Sequence, residues 1–218
     1  MIVSPRTSTE TMRKIGSNGD RSKRQYDISM ADQLILSYWL NGFTAQNMLR
    51  HYEKALRLFP YSRLALGAAV FKVIPLEYSQ PSLIEEAYTM PDGMERLLAS
   101  AKDFLNADCC YRLETSWDLW QYENNDWKLA PSRVALSCFG PEFQDAEENL
   151  EIEFGIDTVF LPQTELPNFA KYAQSNIKSL LKLVHDLDNA LNVDRRKLWS
   201  EASENFSERI QEALMGAE

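Results

Sequence analysis

Seven residues in two segments have the types and spacing that could do chemistry. Arg112, Glu114 and Asp118 recur at even positions between Tyr111 and Gln121, and Glu151, Glu153 and Asp157 recur at odd positions between Leu150 and Phe160, with Trp120 in phase with the first set. Successive side chains of a strand point to opposite faces, so each set falls on one face of an extended segment. If the two segments are neighbours, the seven share a surface. Two carboxylates held close can be driven to different pKa values and divide acid and base roles. The same acids could bind a cation or a basic partner, with Trp120 as an interface anchor. Cross-strand Arg–Glu pairing on a solvated or helix-covered face is the reading that needs no function. The sequence leaves the catalytic residues, if there are any, unidentified.

Other chemistries have weaker signals. The two histidines, His51 and His185, fall on different helical stretches, and Cys109-Cys110 has no second pair at a metal-ligand spacing, so no metal site and no cofactor is expected. Cys138 with His185 and nearby Asp186 and Asp188 has the residue types of an activated thiol, but nothing in order or spacing selects that geometry. Neighbouring cysteines on a strand face opposite ways, so all three thiols are expected to be reduced and buried. Gly16 to Gly19 is not followed by the Lys-Ser or Lys-Thr of a phosphate loop.

The elements that must position the seven residues are legible as patterns. Tyr111, Leu113, Thr115, Trp117 and Leu119 form the apolar phase of one strand, and Leu150, Ile152, Phe154, Ile156, Thr158 and Phe160 that of another. Glu123-Asn124-Asn125-Asp126 predicts a hairpin turn after the first. In the returning arm, Trp127 and Leu129 have one parity and Val134, Leu136 and Cys138 the other, which predicts a bulge or an edge position near Pro131. Gln33 to Leu40 predicts a strand, and Thr44 caps a helix whose stripe is Met48, Leu49, Tyr52, Ala55, Leu56 and Phe59, stopped by Pro60. Leu64 to Ile74, apolar with Gly67 inside, predicts a central strand buried on both faces. Residues 75–90 then read as a crossover loop. Asp92 and Glu95 form a capping box ahead of Met94, Leu97, Leu98, Ala101, Phe104 and Leu105. After Pro167 the period is helical, with Ile177, Leu180, Leu181, Val184, Leu187 and Leu191 in one helix and Phe206, Ile210, Ala213 and Leu214 in a last one.

These patterns predict an α+β fold, a mainly antiparallel sheet of about five strands packed against helices, with two C-terminal helices. Residues 1–28 are expected to be a disordered basic tail and 29–218 a single domain, with the sheet and two helices to 161 and the C-terminal helices over 167–215.

Charge limits the partners. Residues 1–28 carry six basic groups (Arg6, Arg13, Lys14, Arg21, Lys23, Arg24) against Glu10, Asp20 and Asp27, a net of +3, which leaves −12 for the rest of a chain whose total is −9. A body that acidic repels phosphate backbones, so a protein partner or self-association is expected in preference to nucleic acid. No apolar stretch has the length of a membrane span, and Met1 to Glu10 hold no signal-type apolar core, so residence in the cytoplasm is expected. Trp120 and Phe139, if both are exposed on the sheet, make a two-fold dimer the expected way to cover them. The functional expectation is a non-enzymatic protein-binding or regulatory module; the alternative is an enzyme or small-ligand binder using Glu114, Glu151 and Glu153.

Overall fold

The computed structural model describes residues 33–160 and 167–200, together with Phe206, Glu208 and Ile210. The basic segment 1–28 lies outside them. The fold is α+β, with three α-helices and a seven-stranded antiparallel sheet among the described residues, the strands in the order β3-β2-β4-β5-β6-β1-β7. The strands are β1 (Gln33–Leu40), β2 (Ala68–Pro75), β3 (Ile84–Thr89), β4 (Cys109–Glu123), β5 (Asp126–Phe139), β6 (Leu150–Ile156) and β7 (Val193–Ser200). The helices are α1 (Met48–Leu58), α2 (Met94–Asp103) and α3 (Phe169–Ala190).

One face of the sheet carries the main core. Leu34, Leu36, Tyr38 and Leu40 of β1 alternate onto it, as do Leu113, Trp117 and Leu119 of β4 and Ile152 and Phe154 of β6. Met48, Leu49, Tyr52, Ala55 and Leu56 of α1 cover them, with Met94, Leu97, Leu98 and Ala101 of α2 and Ile177, Leu180, Val184 and Leu187 of α3. The Tyr52 hydroxyl donates to the carbonyl of Leu136 at 2.9 Å and fixes α1 on β5. Phe206 and Ile210 have helical backbone and are buried in the same core; the remainder of the expected last helix lies outside the described residues.

Two more strands exist than the patterns predict, and both are edges. β3 occupies the expected crossover loop, and β7 follows α3 after Leu191 and Asn192. Each carries a run of charge, Glu85-Glu86 in β3 and Asp194 to Lys197 in β7, which erases the alternating signature. β2 is second from the edge rather than central. Gly67 precedes it and does not belong to it: its φ is +67°, and a Cβ there would stand 1.9 Å from the Met90 carbonyl oxygen, so no other residue fits.

Several local expectations are corrected. β4 and β5 pair without a bulge from Cys110↔Phe139 to Glu123↔Asp126, passing straight through Asp118↔Pro131; β5 pairs with β6 only over Ala135 to Cys138, so of the two expectations for Pro131 the edge position holds and the bulge does not. No slip is needed because Trp127 and Leu129 belong to the opposite face from Val134 and Leu136. Asn124 and Asn125 both have positive φ, 53° and 64°, as a two-residue type I′ hairpin turn requires. α1 begins after Asn47, whose side-chain oxygen accepts from the Thr44 backbone N–H, so Thr44 is not the cap. α2 begins after Gly93 without a side-chain cap, and Glu95 instead meets Arg57 at 2.6 Å. Ile156 and Leu181 are exposed rather than core, since β6 ends at Ile156 and Leu183 takes the inward position on α3.

Candidate functional site

The face of the sheet opposite the main core carries a polar row that crosses all seven strands. The register places Glu85, Lys72, Arg112, Ser137, Glu151, Ser37 and Lys197 side by side, from β3 through β2, β4, β5, β6 and β1 to β7. The next row on this face holds Val70, Glu114, Ala135, Glu153, Ile35 and Trp199. Strands β4 and β6 are therefore not neighbours, because β5 lies between them. The expected surface forms nonetheless, since β5 contributes only Ser137 and Ala135 at this level and a long side chain reaches over them.

Arg112 is that side chain. Its guanidinium makes a bidentate pair with Glu153, one arm at 2.9 Å, and also donates to Ser137 Oγ at 3.2 Å and to Glu114 Oε1 at 3.3 Å. Lys72 meets the other oxygen of Glu114 at 3.1 Å and lies 3.9 Å from Glu85. Both oxygens of Glu114 and of Glu153 are thus engaged. The face is not solvated at its centre: Arg112, Ser137 and Glu151 are 6%, 2% and 1% exposed. The purely solvated reading of this face does not hold there, and the pairing with Arg112 leaves the Glu153 side chain 14% exposed.

The other three residues of the expected set are elsewhere. Asp118 accepts from Ser62 Oγ at 2.5 Å and from the backbone N–H groups of Arg63 and Leu64 at 2.9 and 3.3 Å, so it fastens the loop before β2. Trp120 packs on Tyr172 of α3 with ring centroids 4.7 Å apart, on the outer half of the hairpin where β4 and β5 pair only with each other. Asn176 of α3 clamps that edge, accepting from the Trp120 N–H at 3.0 Å and donating to the carbonyls of Trp120 and Val159. Asp157 is in the 3-10 turn after β6, where it is buried and accepts from Ser200 Oγ at 2.6 Å.

Phe139 is also buried, under Tyr78 and Phe143 beside Cys110 and Ile74, so of the two aromatics expected on an exposed sheet face only Trp120 is partly exposed. Trp117 is the one fully buried tryptophan; Trp39, Trp120, Trp127 and Trp199 are half-buried. The residues that the sequence reading missed are Lys72, Ser137 and Asn176. Lys72 was detectable as the lone charge inside an apolar strand; Asn176 had no local signal.

The remaining chemical candidates separate. All three cysteines are free and buried, and burial pushes the Cys109 and Cys110 thiols up to about 12 and Cys138 well above its ordinary value. Cys138 Sγ donates to the Met48 carbonyl at 3.7 Å, whereas His185 is exposed and pairs with Asn189, so the two do not form a nucleophile and base. Burial, then Lys54 and Arg50, hold His51 below its ordinary value. Among the described residues no group of three His, Cys, Asp or Glu side chains is placed to hold a metal ion, and no helix is long and apolar enough to cross a membrane.

The sheet offers little enclosed space. A void of about 10 Å³ lies under β5 and β6 between Tyr52, Leu136 and Leu187, room for about one water. An open groove of about 490 Å³ lies at the far edge, along β3 and α2. Glu114 and Glu153 border neither. No family model, curated protein or solved structure matches the chain.

Proposed function

We propose that this chain is a non-enzymatic protein-binding or regulatory module, for which the charged sheet face is framework and not a site of reaction. One observation carries the reading: the carboxylates best placed for chemistry, Glu114 and Glu153, have both oxygens committed to Arg112 and Lys72. A general acid or base must reach a substrate proton within hydrogen-bond distance and from a site that can receive the substrate. The alternative is an enzyme or small-ligand binder built on Glu114, Glu151 and Glu153; of these, Glu151 lines the void of about 10 Å³, too small for a substrate, and Glu114 and Glu153 line neither that void nor the groove along β3. The buried Arg112 guanidinium, paired with Glu153 across β5, also favours one strand register, which suits a scaffold that must present its edges in fixed positions.

Affinity capture of the tagged full chain from its own cells, followed by co-elution on a sizing column, tests this. A partner protein in fixed stoichiometry is the expected result. A chain that elutes alone and turns over a small molecule, with loss of turnover in Glu114→Gln, overturns it.

A further inference from the structure

Among the described residues the outer edge of β3 has no strand neighbour, and its backbone geometry is defined. β3 pairs with β2 from Ala68↔Thr89 to Val73↔Ile84, and the Met90 N–H continues the ladder onto the Gly67 carbonyl at 2.7 Å. Antiparallel partners alternate between residues that bond each other and residues that face away. Counting from Gly67 and Met90, the residues of β3 that face away are Thr89, Ala87 and Glu85. Two contacts agree with this count: the Thr89 carbonyl accepts outward from the Gly93 N–H at 2.7 Å, and the Ala68 carbonyl opposite it turns the other way to accept from Thr115 Oγ1 at 3.1 Å. Beyond Thr89, the N–H and C=O of Ala87 and Glu85 point off the sheet.

Beside that edge runs the open groove of about 490 Å³, walled by Glu86, Ala87 and Tyr88 of β3 and by Arg96, Ser100 and Asp103 of α2. The three α2 residues stand at i, i+4 and i+7 and so form one stripe parallel to the groove. An extended backbone laid along β3 would have the strand on one side and this stripe on the other. Of the groove's charged residues, Glu86 accepts from Tyr88 and from Ser100 Oγ, Asp103 is exposed, and Arg96 is drawn over the Tyr88 ring at 5.4 Å, so the two carboxylates outnumber the one guanidinium of the lining.

We infer that this edge binds an extended peptide segment of a partner protein by strand addition, with Lys or Arg side chains of the segment set against Glu86 and Asp103. The inference rests on the protein-binding reading above and names the place and the chemistry of the partner. Strand addition supplies affinity through backbone hydrogen bonds and specificity through alternate side chains, and this groove has room for one of the two alternating sets.

The test is selection of displayed random peptides of about nine residues, enough for one strand, on the immobilised full chain, then titration of a selected peptide against variants. Selected sequences are expected to alternate β-branched residues with Lys or Arg. Ala87→Pro removes an outward N–H without touching the bonds to β2, and should weaken the peptide about tenfold. Asp103→Lys, on an exposed helix position, should weaken it several-fold and flatten its salt dependence, with an unchanged melting midpoint that shows the fold is intact. A wild-type chain that selects no peptide but still captures a partner protein from its cells overturns the groove and leaves the protein-binding reading standing; one that does neither overturns both. Peptides that bind Ala87→Pro and Asp103→Lys as well as wild type leave that reading standing and overturn the groove. Enrichment of acidic sequences, or a wild-type dimer that Ala87→Pro converts to monomer, overturns the basic peptide as occupant.

Discussion

On the helix-covered face of the sheet, Trp117 touches Phe59 and Phe154, and Phe154 touches Phe160, with ring centroids 5.9 to 6.3 Å apart. On the opposite face, Arg112 touches Ser137, Glu114 and Glu153 across β4 to β6. Both faces are buried, but by different physics. The aromatic face gains from area removed from water, a non-directional term spread over many contacts. The charged face must meet a desolvation cost with a few directional bonds, so each partner matters only while the others are present. The contrast predicts that damage on the aromatic face scales with volume removed, and on the charged face with charge left unmatched.

The largest effect separates these rules on the aromatic side. Phe154→Ala leaves a cavity between Trp117 and Phe160 and should cost about 4 kcal/mol in urea unfolding. A loss below about 1 kcal/mol, the range of an exposed position, would mean that the core assignment of β6 is wrong. On the charged side, Arg112→Met keeps the volume yet strips Glu153 of its bidentate partner, and should cost about 3 kcal/mol. Adding Glu153→Leu to Arg112→Met should recover part of that loss, because the unmatched charge is gone. If the double variant is instead less stable by the sum of the two single losses, the face behaves like the aromatic one and the comparison fails.

Asn176 brings directional bonding to the helix-covered side. Asn176→Ala leaves the Trp120 N–H and C=O and the Val159 carbonyl without their partner and should cost about 2 kcal/mol. Faster amide exchange at Trp120 with unchanged exchange at Leu113 would place the damage on the outer hairpin. Uniform acceleration would show that the clamp serves the whole sheet. Next in size is Glu153→Gln. An exposed glutamate would tolerate it within about 0.5 kcal/mol; here one charge-assisted pairing with Arg112 is lost, for about 1.5 kcal/mol.

What the sequence made legible follows the same division. The core phases of β1, β4 and β6 stood out because apolar residues must face one way, and the β4–β5 hairpin because Asn124-Asn125 is a turn between arms adjacent in sequence. The position of β5 between β4 and β6 was not legible, since β5–β6 pairing is settled by long-range packing. The small residues Ser137 and Ala135, which let Arg112 pass to Glu153, carry no signal of their own. Edge strands β3 and β7 were invisible as patterns because backbone pairing with one neighbour holds them, with charges on both faces. Four of the seven expected site residues, Arg112, Glu114, Glu151 and Glu153, do share a face. Asp118, Trp120 and Asp157 do not join them, because the hairpin outruns its neighbours before Asp118 and β6 ends before Asp157.

The smallest prediction tests the turn that sets the register of both faces at once. Asn125 has a φ of 64°, a left-handed conformation that costs an L-residue with a Cβ more than it costs glycine. Asn125→Gly gives the Asn-Gly pair that type I′ turns favour. Glycine also widens the unfolded ensemble, which opposes the gain, so the net stabilisation should be no more than about 0.5 kcal/mol. Because the register from Glu123↔Asp126 back to Cys110↔Phe139 is continuous, the variant should leave both the aromatic packing and the Arg112 pairings unchanged. Urea unfolding of Asn125→Gly in wild-type and Arg112→Met backgrounds checks this: equal increments in the two mean that the turn and the charged face are independent. A larger increment in the Arg112→Met background would mean that the salt bridges, and not the turn, hold the register.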